Sequence, residues 1–362
     1  MHILCYFVSM GEKAGEKLNA GITASRWRGF HWPLVSFLSG LLVYYLLFKT
    51  LVDPLNPQIE ALNSFSYQFL WEGEAPASRV TVVSADLNAR YKHAIPSVLM
   101  AFSFLAALVV AFGFILPRFG RGALACGAAA LPAGAFIGFT EQYNNAIRMA
   151  VADCPPGGTM DFCPLDQAVI RGLPGSSFTM ETLSQIRFLT DFNSIISVAA
   201  IFLLGFCFFF LARSAGPQGL DPAHLLIRRR SLEAALVIAG LVLVFSVATT
   251  HGFYHLASSF MQPTFGVPLG QLASAGSTYW GAVYTTVLIV VALPATISIA
   301  RDSQLGSEAA LPDGSFKERR EWREQHGLGI GLKDMLAGVA ASFAPILTAP
   351  SLDLIQAVLG AN

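Results

Sequence analysis

Charge is what this chain has least of. Asp, Glu, Lys and Arg make up 13% of its 362 residues, about half the share found in soluble domains. Between Ala234 and Ala300 there is none, and only His251 and His255 in that stretch titrate near neutrality. Water does not hold so long an uncharged run, whereas a bilayer does. The run reads as a helical hairpin: two membrane spans joined by an uncharged loop. Net charge is zero, with 23 basic and 23 acidic residues, so no overall field favours nucleic acid. Five cysteines are too few for a disulfide scaffold.

Signature motifs are missing too. The sequence has no Walker loop, no GxSxG, no GxGxxG after a strand and no HExxH, the patterns that mark common nucleotide-binding and hydrolytic sites. No apolar block carries a charge at its centre, which argues against an ion-coupled transporter.

What the chain does have is apolar length. Hydrophobic residues make up 54%, and six blocks of about 18–24 residues match the length needed to cross hydrocarbon. They run over His31–Phe48, Ala94–Pro117, Gly122–Thr140, Phe192–Ala212, Leu232–His251 and Tyr279–Ala300. The expected fold is an all-α polytopic bundle of six transmembrane helices. An N-terminal segment (1–29) precedes it and an amphipathic cytoplasmic tail (301–362) follows. Met1 to Ser9 reads as an upstream extension, with Met10 a possible start.

Orientation follows from Lys and Arg. With the N-terminus inside, 16 of the 23 basic residues fall in inner segments, while acidic residues divide 12 to 11. That bias is specifically basic, as the positive-inside rule requires. Both termini are therefore expected in the cytoplasm of a bacterial-type inner membrane. The outer segments become 50–93, 141–191 and 252–278. The first contains a strand-like Arg79-Val-Thr-Val-Val83. The second contains Cys154 and Cys163, expected to form a disulfide across Gly and Pro residues in an oxidising compartment. The third is the uncharged loop, expected as a flat lid, with re-entry into the membrane as the alternative.

Few residues offer chemistry. His251 and His255 share one helix face at i and i+4, and His93 opens the second block at similar depth. Together they would suit zinc, with Glu141 or Asp191 as base or fourth ligand. The competing reading has the histidines sitting comfortably at the interface. Cys126, Ala130, Gly134 and Gly138 form a ladder of small residues that lets another helix approach, within the chain or between copies. The tail begins with Phe316–His326, whose opposite charges at helical spacing suit a solvated face. An apolar stripe over 332–343 then suits an interfacial helix better than a seventh span.

These features favour a non-enzymatic membrane component, pore-type or partner-binding, with the 234–300 hairpin lining or gating a path. It would be a homo-oligomer, with its tail (316–343) meeting a soluble partner or anionic lipid. A metal-dependent membrane hydrolase with a zinc site is the alternative, and a low-affinity transporter comes third.

Overall fold

A computed structural model describes residues 42, 68–72, 77–142, 164–172, 178–213 and 220–329. Five of its helices are long and apolar enough to cross a membrane, consistent with a multi-pass membrane protein. Helix α1 spans Arg79–Leu108 and continues through a π turn (Val109–Ile115) into a 3-10 turn (Leu116–Phe119); α2 spans Arg121–Gln142. The short α3 (Pro164–Ile170) precedes α4 (Met180–Leu211), α5 (Pro222–Ser258) and α6 (Pro263–Ala310), and α7 is Phe316–Gln325. The last five expected spans fall inside α1, α2, α4, α5 and α6. The first, His31–Phe48, lies outside the described residues apart from Leu42, as does the apolar stripe over 332–343.

Several helices are longer than the sequence suggests. At 1.5 Å per residue the 48 residues of α6 extend about 72 Å, more than twice the roughly 30 Å of hydrocarbon. The bundle therefore continues beyond the apolar layer. Arg79–Val83, expected as a strand, is the first turn of α1. Ser78 caps it, its hydroxyl accepting from the Thr81 amide at 3.2 Å, and no strand exists among the described residues to pair with it.

The uncharged loop is also helix. α5 runs on to Ser258, and α6 starts at Pro263 with Gln262 as its N-cap. Pro263 initiates the helix because the first turn needs no amide donor. Gly266 serves close approach, since a Cβ there would lie 2.8 Å from the Ser258 carbonyl. Neither a lid nor a re-entrant loop is present in this stretch.

Packing sorts the helices. In α4 and α5, 61% and 56% of the apolar window is buried, against 33% or less in α1, α2 and α6. α4 and α5 form the centre and the others flank them. The α1–α2 corner closes on the single residue Gly120, whose φ of 88° only glycine adopts without strain. Chain direction gives the bundle two ends. At one, α1, α4 and α6 begin and α5 finishes; the histidines lie there. At the other, α1 and α4 end and α5 begins, carrying Arg228, Arg229 and Arg230 in its second and third turns.

Candidate functional site

The histidine end is built on close helix contact. Gly252 lets α5 meet α1, because a Cβ on it would lie 2.6 Å from the Lys92 carbonyl and 3.0 Å from His93 Cα. His93 is 2% exposed. Its Nε2 lies 3.1 Å from the Thr190 hydroxyl of α4 and its Nδ1 3.4 Å from the Thr249 carbonyl of α5. The Thr249 carbonyl only accepts, so Nδ1 donates to it, while the Thr190 hydroxyl that meets Nε2 also donates to the Ile186 carbonyl of its own helix at 2.9 Å. His93 thus ties α1 to both central helices.

The other two histidines face α6. His251 Nδ1 lies 3.0 Å from Ser277 Oγ, and His255 Nε2 lies 3.0 Å from Ser274 Oγ. Their rings lie one turn apart and tilted by 44°, with centroids 4.4 Å from each other. The shared face expected from i, i+4 spacing is present. The three-histidine metal site is not: among the described residues no group of three or more His, Cys, Asp or Glu could hold an ion. The physical reason is that His93 turns towards Thr190 on α4 while His251 and His255 turn towards serines on α6. His93 joins three helices, and His251 and His255 each join α5 to α6.

The supporting residues divide similarly. Asp191 lies half-buried within α4, and Glu141 belongs to the last turn of α2. Cys154 and Cys163 lie outside the described residues, so their expected bridge has no support from the structure. Cys207 is a free, buried thiol. The small ladder packs inside the chain. A Cβ on Gly134 would sit 2.7 Å from Ala199 Cα, and one on Gly138 3.0 Å from Ile195 Cα, both on α4. Cys126 and Ala130 are buried beside Phe206 of the same helix.

A cap closes the histidine end. Residues 68–72 run against the α5–α6 corner, with the Leu70 amide donating to the Phe260 carbonyl at 2.9 Å and the Gln262 amide to the Gln68 carbonyl at 3.0 Å. Phe69, Phe178, Phe253, Tyr254, Phe260 and Trp280 fill the space beneath. Ion pairs ring it: Asp86 with Arg90 at 2.6 Å, Asp166 with Arg187 at 2.7 Å and Glu72 with Arg171 at 3.3 Å.

At the opposite end sequence reasoning overlooked a junction. Arg228 and Asp302, 3% and 2% exposed, join α5 to α6 at 2.6 Å. Arg228 also donates to the Leu211 and Arg213 carbonyls at 2.8 and 2.7 Å, satisfying acceptors that the end of α4 leaves open. A signal was available. Leu225, Arg228, Leu232, Ala235, Ala239 and Val242 make one buried stripe, and Arg228 falls on it at helical spacing.

The same end carries α7. None of its residues is buried, the solvated face its charge pattern suggests. Ser315 and Glu318 form a capping box at its start. Beyond its end, Arg229 of α5 donates to the Gly327 and Gly329 carbonyls, each at 2.6 Å. Arg319 donates to the carbonyls of Leu311 and Pro312 at 3.1 and 2.6 Å, fixing the α6–α7 corner.

Compared with protein-family models, curated proteins and solved structures, the chain matches none of them.

Proposed function

We propose that this is a non-enzymatic, multi-pass membrane component of the partner-binding kind, which offers α7 to a soluble protein. One observation carries the reading: a ten-residue charged helix with no buried residue is nevertheless held at both ends by the bundle. An isolated helix that short is marginal in water. Its capping box, the Arg319 contacts and the Arg229 clasp give it a fixed position without burying its surface. Phe316, 77% exposed at its start, adds an apolar contact to a face of mixed charge.

The positive-inside bias places α7 and both termini in the cytoplasm, with the bilayer a bacterial-type inner membrane. Among the described residues a pore through one chain gains no support, because aliphatic and aromatic side chains pack the space between α4, α5 and their neighbours. Among the described residues the hydrolase reading lacks the three-histidine ligand set that motivated it.

A photo-crosslinker at Phe316 tests the proposal in cells. The expected result is one discrete protein adduct, lost when Arg320→Glu and Arg323→Glu invert the exposed charge. A crosslinker at Arg79, at the other end of the bundle, should not form it. Labelling of lipid alone, or an adduct indifferent to the reversal, would overturn the reading.

A further inference from the structure

We propose that the arginine end carries a girdle that binds anionic phospholipid headgroups, independently of any soluble partner at α7. Four spanning helices contribute to it. On α1, exposed Phe114 is followed four residues later by exposed Arg118; on α6, exposed Leu293 and Ile297 are followed by exposed Arg301. On α5, Arg230 shares a face with Ile227, Val237 and Leu241, all exposed. On α2, Arg121 begins the outward stripe that continues to Phe136 and Phe139. Arg118 and Arg121 stand at the ends of their helices' outward apolar stripes, and Arg230 and Arg301 one turn short of the end, with Ile227 and Leu305 beyond them, where hydrocarbon gives way to headgroups.

Their charges are uncommitted. Arg121, Arg230 and Arg301 make no ion pair or hydrogen bond among the described residues, and Arg118 only donates to Ser231 Oγ at 2.8 Å. The acids nearest in sequence are occupied: Glu233 by Arg229 at 2.8 Å and Asp302 by Arg228 at 2.6 Å. The histidine end is built otherwise, with Arg90, Arg171 and Arg187 each on a carboxylate.

A guanidinium presents a planar fork of donors that matches phosphate oxygens two at a time. The distribution of the four around the bundle, rather than in one patch, fits many small headgroups better than one protein. The firmest position is the α1–α5 cleft. There the Ser231 bond holds Arg118 in place, and Arg230 is the next residue along α5.

The experiment compares the full chain in phosphatidylcholine vesicles with and without phosphatidylglycerol, reading enrichment of a labelled anionic lipid around the protein. Arg118→Gln with Arg230→Gln should lower the anionic preference roughly fivefold per arginine. Arg79→Gln, an exposed arginine at the other end, should leave it unchanged. In the wild-type protein the preference should weaken as salt is raised. Equal enrichment in wild type and double variant, an equal loss in Arg79→Gln, or a preference indifferent to salt would each overturn the proposal. Should the double variant fail to fold, the salt series on wild type and the Arg79→Gln comparison still decide it.

Discussion

The spanning helices of this bundle are joined differently at its two ends. At the histidine end helices meet backbone to backbone, Gly252 against Lys92 and His93, and imidazole-to-hydroxyl contacts complete the seams. At the arginine end a buried charge does the joining, Arg228 reaching Asp302 and two carbonyls of α4. The difference bears on robustness. A neutral hydrogen bond contributes modestly, and in membrane proteins its loss averages about 0.6 kcal/mol. A buried ion that loses its partner keeps its charge in a medium that solvates it poorly, which costs several times more. Arginines also differ: Arg90, Arg171 and Arg187 sit on carboxylates at the histidine end, whereas Arg121, Arg230 and Arg301 at the other carry no ion pair among the described residues.

The comparison breaks most visibly at Arg228. Arg228→Ala should destabilise the protein by about 3–5 kcal/mol, because it takes the guanidinium away from buried Asp302 and from two carbonyls at the end of α4. Replacing both residues together, Arg228→Met with Asp302→Leu, should recover most of that loss. Thermal unfolding in detergent reads both. A single variant no worse than the double would mean that the charge does not join the helices.

A smaller loss is expected at the histidine end. Gly252→Ala forces a methyl to within 2.6 Å of the Lys92 carbonyl, and overpacking of that kind costs about 1–3 kcal/mol. Gly113→Ala, with nothing within 4 Å of its Cβ, is the matched control and should stay within about 0.5 kcal/mol. Equal effects would show that the α1–α5 seam is not close-packed at Gly252.

The smallest effect sharpens the picture of α7. Glu318 accepts from the Ser315 amide at 2.7 Å and the Ser315 hydroxyl at 2.9 Å, and these bonds hold its carboxyl below the ordinary glutamate range. A carboxyl depressed by folding contributes stability above its unfolded pKa and loses it as pH falls through the folded value. The α7 amides should therefore lose protection, measured against the unfolded-chain exchange rate at the same pH, as acid protonates Glu318, while the spanning helices keep theirs. Glu318→Gln should flatten that acid response, and an unchanged response would remove the capping box from the account.

Much of the spanning architecture was legible because hydrocarbon imposes a strict length and polarity rule. The blocks beginning at Ala94, Gly122, Phe192, Leu232 and Tyr279 each lie within a helix of the structure. Helix ends were harder to read. Gly, Pro and Ser between Gly252 and Ser277 resemble loop punctuation, yet there they start a helix at Pro263, admit a close neighbour at Gly266 and supply histidine partners at Ser274 and Ser277. Val and Thr in Arg79–Val83 suggest a strand by propensity alone, but Ser78 caps a helix there instead.

The sequence by itself determined that long apolar helices form, because only internally hydrogen-bonded segments suit a bilayer. It also determined that His251 and His255 share a face, because helical periodicity puts residues four apart on one side. Only the tertiary structure decided which helices those faces meet. In lipid an apolar surface is satisfied by a tail or by a neighbouring helix alike, so hydrophobicity does not name partners. The choice rested on contacts between distant segments: His93 turning to Thr190 instead of to His251, and Arg228 finding Asp302 across the bundle.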